Sequence, residues 1–298
     1  MIKLTRPINI LVKRRAAIGD VIMSTGVVRE LKRLYGDNCN IDVATECIEV
    51  YRNNPHIRHI CHTNVMPDIA GYDKYINLDD AYELNPTDNY LDSYFYRAFG
   101  YTDMNQRPEL FPNDEDQTAV LNTIYQNELD KYIVVHMRNW HWGAKNISMD
   151  VWLDVFAQLF EQRTDFKIVT VGGTTDFFIE DHPLFIDARA KYTDQQLKYV
   201  CDNAQAFVGI DSAPYWCAAA SSTHIIALLT HLHPERILPE RNRELGKNCT
   251  AIQTQEECRG CGDKQARPIR YINCIKGNYP CAGNFDTEAI TQAILKTL

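Results

Sequence analysis

Apolar and polar positions along this chain run through the same alternation twice. Ile8 to Lys13 is a short, nearly continuous apolar run and predicts a buried strand. Val21 to Leu34 then places apolar residues at helical spacing (Val21, Ile22, Val27, Val28, Leu31, Leu34) and stops near Gly36. Asn40 to Ala44 predicts a second strand, and shorter strand signals follow at His59 to Cys61 and Lys74 to Leu78. Leu91 to Phe99 predicts a helix. Arg107 to Gln117, with two prolines and several acids, reads as the approach to a domain boundary.

The second round starts with a strand at Tyr132 to His136. A helix follows at Met149 to Phe160, with Ser148 as its expected cap. Then come a strand at Lys167 to Val171 ending on Gly172-Gly173, a helix at Thr193 to Asp202 and a strand at Ala206 to Ile210. A short helix at Pro214 to Ala220, a strand at His224 to Leu229 and a final helix at Asp286 to Leu298 complete the pattern. Strand–helix alternation in both halves predicts an α/β protein of two Rossmann-like, doubly wound domains facing across a cleft. The predicted divisions are 1–127, 128–284 and a C-terminal helix at 285–298. Ligands of open parallel sheets bind at the carboxyl ends of the strands. That directs attention to residues 14–20, 136–145, 172–176 and 211–216.

Composition narrows the class. The 298 residues are 45% hydrophobic and 23% charged, which fits a globular chain. A net charge of -8 argues against a broad basic face for duplex nucleic acid and leaves room for a local basic cleft. The N-terminus does not resemble a signal peptide, and no window reaches membrane-spanning length, so the expected location is cytoplasmic.

Each candidate segment has a plain reading beside a chemical one. Asp20, after Gly19, is either a helix cap or a general base for an acceptor hydroxyl. Arg14 and Arg15 form a solvated turn or neutralise an anion. His136, Arg138 and Lys145 bracket a loop dense in aromatic groups, Asn139 to Ala144. Lys145 is either a surface lysine or the cation of a diphosphate site near a helix start. Gly172 and Gly173 allow a tight turn or close approach by a ligand. Asp211, Ser212 and Ala213 lead into a helix marked by Pro214, as caps or as part of a ligand loop.

In this order the segments resemble glycosyltransferase family 9, the ADP-heptose:lipopolysaccharide heptosyltransferases and their relatives. The resemblance is carried by Arg14…Ile18-Gly19-Asp20-Val21, by Lys145 with Trp152 seven residues on, by Val171-Gly172-Gly173, and by Gly209-x-Asp211-Ser212-x-Pro214 with Ala218-Ala219-Ala220. It implies a GT-B fold and an inverting, metal-independent transfer from a nucleotide-sugar donor. It also implies Asp20 as base and a donor site drawn from Arg14, His136, Arg138, Lys145, Gly172, Gly173, Asp211, Ser212 and Ala213. By the same resemblance the expected acceptor hydroxyl belongs to a glycan such as lipopolysaccharide, with a protein or a modified nucleobase left open. The chain departs from the pattern at Trp216, where the family often has His, at Ala213, where it has Gly, and at Asn146-Ile147-Ser148 after the lysine. Those departures keep two rivals in view: a non-catalytic nucleotide- or glycan-binding protein on the same scaffold, and a UDP-sugar epimerase.

Four of the ten cysteines, Cys258, Cys261, Cys274 and Cys281, crowd together near the C-terminus. One Cys-x-x-Cys knuckle with Gly260 and Gly262 suits a structural zinc or iron held by four thiolates. The alternatives are packed thiols or a disulfide. Some relatives, the autotransporter heptosyltransferases, resemble the chain in carrying a cysteine-bound iron.

Overall fold

The computed structural model describes residues 6–85, 89–102, 106–238, 248–264 and 274–298. The first half is a four-stranded parallel sheet in the order β3-β2-β1-β4, from β1 (Ile8–Lys13), β2 (Cys39–Ala44), β3 (His59–Cys61) and β4 (Lys74–Asn77). Helix α1 (Ile18–Tyr35) crosses from β1 to β2, and α2 (Tyr90–Phe99) packs beside α1 and β4. The second half is a six-stranded parallel sheet in the order β10-β9-β8-β5-β6-β7. Its strands are β5 (Tyr132–Val135), β6 (Lys167–Thr170), β7 (Phe185–Asp187), β8 (Ala206–Gly209), β9 (His224–Leu229) and β10 (Cys249–Gln253). Strand β5 is buried at all four positions, as expected of a parallel strand covered on both faces.

Each sheet reverses its winding once, between β1 and β4 in the first and between β5 and β8 in the second. A crevice opens at such a reversal because the flanking connections leave in opposite directions. The residues just past these strand ends are Arg14 and Leu78 on one sheet, and His136 and Asp211 on the other.

Helices α4 (Met149–Gln162) and α7 (Thr287–Leu295) cover one face of the second sheet, with Trp152 and Phe156 in the core between them. On the other side, α5 (Asp194–Asp202) packs on α6 (Ala213–Ala219). Helix α6 in turn packs on α1, so one apolar cluster runs from Val21 and Val28 through Tyr215 and Trp216 to Leu229. The two halves are therefore already closed on each other along α1 and α6.

Several boundaries differ from the sequence reading. Helix α3 (Asp114–Gln126) begins within the 107–117 stretch read as an approach to a boundary and runs on past it; Asn113 and Asp116 cap it reciprocally, and it packs on α5. Ser148 precedes α4 as expected, but its side chain makes no cap hydrogen bond. Ser212 caps α6 by accepting from the Tyr215 amide at 3.3 Å, with Pro214 in the first turn. Among the described residues no helix is long and apolar enough to cross a membrane.

A second contact between the halves brings the start of α5 against the turn Ile48–Tyr51. The Gln195 side-chain Nε2 donates to the Val50 carbonyl at 3.0 Å and the Glu49 carbonyl at 3.2 Å. Asp194 beside it is pushed up to about 6 from 3.8 by burial, and secondarily by the Glu49 charge. A carboxyl whose folded pKa is raised loses stability as pH climbs from its unfolded value to its folded one. Stability should thus fall between about pH 4 and pH 6, and Asp194→Asn should restore about 3 kcal/mol above pH 7 while changing little below pH 4. Thermal melts of both proteins across pH 3.5 to 8 check this; a pH-independent difference would contradict it.

Candidate active site

The first pole of the site is built where β1 hands over to α1. Asp20 is not the cap residue. It occupies the third position of α1, and its Oδ2 accepts the Ala17 amide at 2.9 Å. The same oxygen lies 3.1 Å from Nη2 of Arg14. Arg14 is only 4% exposed. Its guanidinium donates to the Leu78 carbonyl at 3.2 Å, which ties the two sides of the β1/β4 reversal together, and to Glu83 at 3.3 Å. Burial opposes its charge, but Tyr94, Asp20 and Tyr82 outweigh that and hold its pKa above the ordinary range. Arg15, by contrast, is exposed and pairs with Glu46. The contacts of Asp20 run through Oδ2, so Oδ1 faces no donor among the described residues. The buried Tyr94 hydroxyl and Arg14 Nε also lack partners among them.

The second pole lies across the β5/β8 reversal. His136 Nδ1 is 2.9 Å from the Ser212 hydroxyl, and Nε2 is 3.0 Å from Asp176 Oδ2. Burial lowers the imidazole's pKa despite Asp176, so the ring is neutral near pH 7. Asp176 is held below the usual carboxylate range: burial opposes its charge, and His136 and the backbone amides outweigh it. An ionised carboxylate only accepts, so Nε2 carries the proton and Nδ1 accepts from Ser212. Gly172 and Gly173 shape this corner. Gly172 has φ +124, and a Cβ there would lie 2.2 Å from Asp176 Oδ2 and 2.7 Å from His136 Cδ2. The Gly173 amide donates to Asp176 at 2.6 Å.

Lys145 sits in the short turn Gly143–Lys145, and its ammonium reaches Asp211 Oδ2 at 2.5 Å. Burial resists the Asp211 charge, and Lys145 more than compensates, so the pKa stays below the usual carboxylate range. Arg138 donates to the Asp211 carbonyl at 2.8 Å. Its own pKa is lowered by burial, which Asp211 and Asp176 only partly offset. Trp216, at the departure from the family's His, donates its indole N–H to Asp211 Oδ1 at 3.2 Å.

The two poles meet at Gly19. This glycine does not make a tight turn; it lies inside α1, where a Cβ would come 2.8 Å from Trp216 Cδ1 and 3.6 Å from the Ala213 Cα. A missing side chain next to Asp20 thus admits the indole bound to Asp211. The structure gathers His136, Arg138, Lys145, Gly172, Gly173, Asp211, Ser212 and Ala213 on the second sheet. Arg14 stands instead with Asp20 on the first. Sequence reasoning missed Asp176, three residues after Gly173, although the Gly-Gly-x-x-Asp spacing is a turn signal. It also missed Glu83, which has no local signature.

The cysteine-rich segment adjoins this pole. Cys258 accepts the Cys261 amide through its carbonyl at 3.1 Å, and the Cys274 sulfur accepts the Tyr279 amide at 3.3 Å. All four thiols are free. Among the described residues no group of three or more His, Cys, Asp or Glu side chains is arranged to hold a metal ion.

Two doubly wound parallel sheets, joined so that the segments after β1 and β8 touch, form the GT-B architecture. No protein-family profile and no curated protein matches the chain. Solved structures do. The fold is shared with the glycosyl transferase family 9 protein of Veillonella parvula DSM 2008, at 17% identity over 98% of this chain and 97% of that one, with a TM-score of 0.72. E. coli ADP-heptose lps heptosyltransferase II is 13% identical over 97% and 98% of the two chains, also with a TM-score of 0.72. The iron-containing dodecameric glycosyltransferase TibC from enterotoxigenic E. coli H10407 is 14% identical over 99% of this chain and 79% of that one, with a TM-score of 0.65.

Proposed function

We propose that this chain is an inverting glycosyltransferase that moves a sugar from a nucleoside diphosphate to an acceptor hydroxyl. The observation that carries the reading is the seating of Gly19 on Trp216, which sets the Asp20 carboxylate on one side and the Lys145–Asp211 pair on the other. The fold shared with family 9 glycosyltransferases and heptosyltransferases supports it.

In this mechanism the donor diphosphate displaces part of the Lys145–Asp211 contact and takes up the ammonium. Leaving-group charge then develops beside a cation already oriented in a dry site, which lowers the barrier without reorganisation. Asp20 Oδ1 takes the proton of the acceptor hydroxyl as that oxygen attacks the anomeric carbon from the face opposite the diphosphate. The C–O bond to the acceptor forms, the bond to the diphosphate breaks, and the configuration inverts. Arg14 keeps Asp20 oriented, and because Glu83 shares the guanidinium, Arg14 is not left unpaired when Asp20 becomes neutral.

The same reading extends to the cysteines. Cys258, Cys261, Cys274 and Cys281, which are not arranged to share an ion in the described structure, would have to close on one another to hold a structural zinc or iron ion, the metals that four thiolate donors suit. TibC, which shares the fold, is an iron-containing glycosyltransferase. Elemental analysis should find about one such ion per chain; a stable, metal-free protein would contradict the assignment.

A thermal-shift panel of nucleotide sugars tests the central reading, because a ligand that binds only the native state raises the melting temperature. Stabilisation by one nucleotide family, with release of its diphosphate on adding acceptor, is expected. Binding with no turnover and no slow hydrolysis across the panel would count against catalysis.

A further inference from the structure

We infer that Tyr279 is a positioning residue for Lys145, clamping the Gly143–Lys145 turn from the cysteine-rich arm. Its value for donor binding rests on the glycosyl-transfer reading; the clamp itself does not.

Tyr279 has a left-handed backbone (φ 51), uncommon for a residue with a bulky side chain. Its amide is held by the Cys274 sulfur at 3.3 Å, and its carbonyl accepts the Ala282 amide at 3.0 Å. Cys281, within that turn, is buried. So fixed, the ring lies against Gly143: a Cβ there would fall 2.5 Å from Cδ2, 2.7 Å from Cε2 and 2.9 Å from Cγ. Only glycine admits that approach. Beyond the turn, the Ala282 carbonyl accepts the Ser148 amide at 2.8 Å.

The other cysteine-bearing arm grips the next residue. The Gly262 amide donates to the His231 carbonyl at 2.8 Å. His231 Nδ1 donates to the Ala144 carbonyl at 2.9 Å, and the Thr230 hydroxyl donates to the same oxygen. Residues 143 and 144 are thus held from two sides by the segments that carry Cys261, Cys274 and Cys281. Lys145 follows immediately, with its ammonium on Asp211. A lysine chain has large rotamer freedom, so an anchored backbone is what gives its charge a fixed position.

Hydrogen exchange reads the turn directly. The Lys145 amide bonds to the Trp142 carbonyl at 2.8 Å and the Asn146 amide to the Gly143 carbonyl at 3.2 Å. Tyr279→Ala should speed exchange at these two amides about tenfold, leave the Phe156 amide in α4 unchanged, and be rescued by Tyr279→Phe. If Tyr279→Ala does not fold, Tyr279→Leu, which keeps bulk but no flat ring, is read the same way. Unchanged exchange at Lys145 and Asn146 overturns the clamp. In parallel, ADP, GDP and UDP are titrated, and the tightest binder should lose about tenfold affinity in Tyr279→Ala. In a Lys145→Met background the same change should cost nothing further. An equal loss with and without Lys145 overturns the positioning role. If no nucleotide binds the wild type, the donor reading fails, and exchange alone decides the clamp.

Discussion

Asp20→Ala is expected to lower turnover by about 10³-fold while changing nucleotide affinity less than about twofold, as for loss of a general base that does not touch the donor. The split follows from position. Asp20 belongs to the first sheet's pole and contacts Arg14 and the Ala17 amide, whereas the ammonium proposed for the diphosphate is bound to Asp211 on the second. The variant loses the helix-start hydrogen bond, about 1 kcal/mol, and the ion pair with Arg14, whose charge Glu83 still partners, so it should remain folded. Arg14 keeps Glu83 and the Leu78 carbonyl. Diphosphate release under saturating donor, beside a nucleotide titration, checks the pair of results. Wild-type turnover in Asp20→Ala would remove the base from the mechanism.

Lys145→Met should damage both stability and binding. Asp211 is only 5% exposed, and its charge depends first on Lys145. Removing the cation leaves a buried carboxylate with the Trp216 indole as a side-chain donor, which costs about 3 kcal/mol or more. Nucleoside diphosphate affinity should fall about 10²-fold, or roughly 3 kcal/mol. The two effects are separable. Adding Asp211→Asn should recover most of the melting temperature, because the uncompensated charge is gone, and none of the affinity. A double variant that regains full affinity would show that the lysine serves Asp211 and not a ligand.

The parts of the fold legible in the sequence were those whose burial is written locally. Strand β5 is a continuous apolar run and β1 a nearly continuous one, and α1 and α4 carry apolar residues at helical spacing. Helix α3 was hidden because only Asp116 and Val120 are buried along it, which leaves almost no periodic signal. Strand β7 has three residues, and β10 is half-buried throughout, so neither stands out from its surroundings.

The candidate site followed the same division. Asp20, Lys145 and Asp211 were legible because each follows a strand end in a recognisable segment. Their roles changed with the structure: Asp20 braces the start of α1 from its third position, and Gly19 serves packing on Trp216. Glu83 and Tyr279 could not be read at all, and Asp176 was reached only as the end of the 172–176 segment, with no role of its own. Each acts on a partner 40 or more residues away, such as Asp176 on His136.

The central claim is that the diphosphate lies on Lys145 with the reacting carbon turned toward Asp20. A crystal structure with a non-transferable 2-deoxy-2-fluoro analogue of the donor selected by the panel tests it most directly. Diphosphate oxygens are expected within hydrogen-bond reach of the Lys145 ammonium, with the anomeric carbon facing Asp20 Oδ1 across the Gly19–Trp216 contact. A nucleotide bound away from Lys145, or a sugar turned away from Asp20, would contradict it.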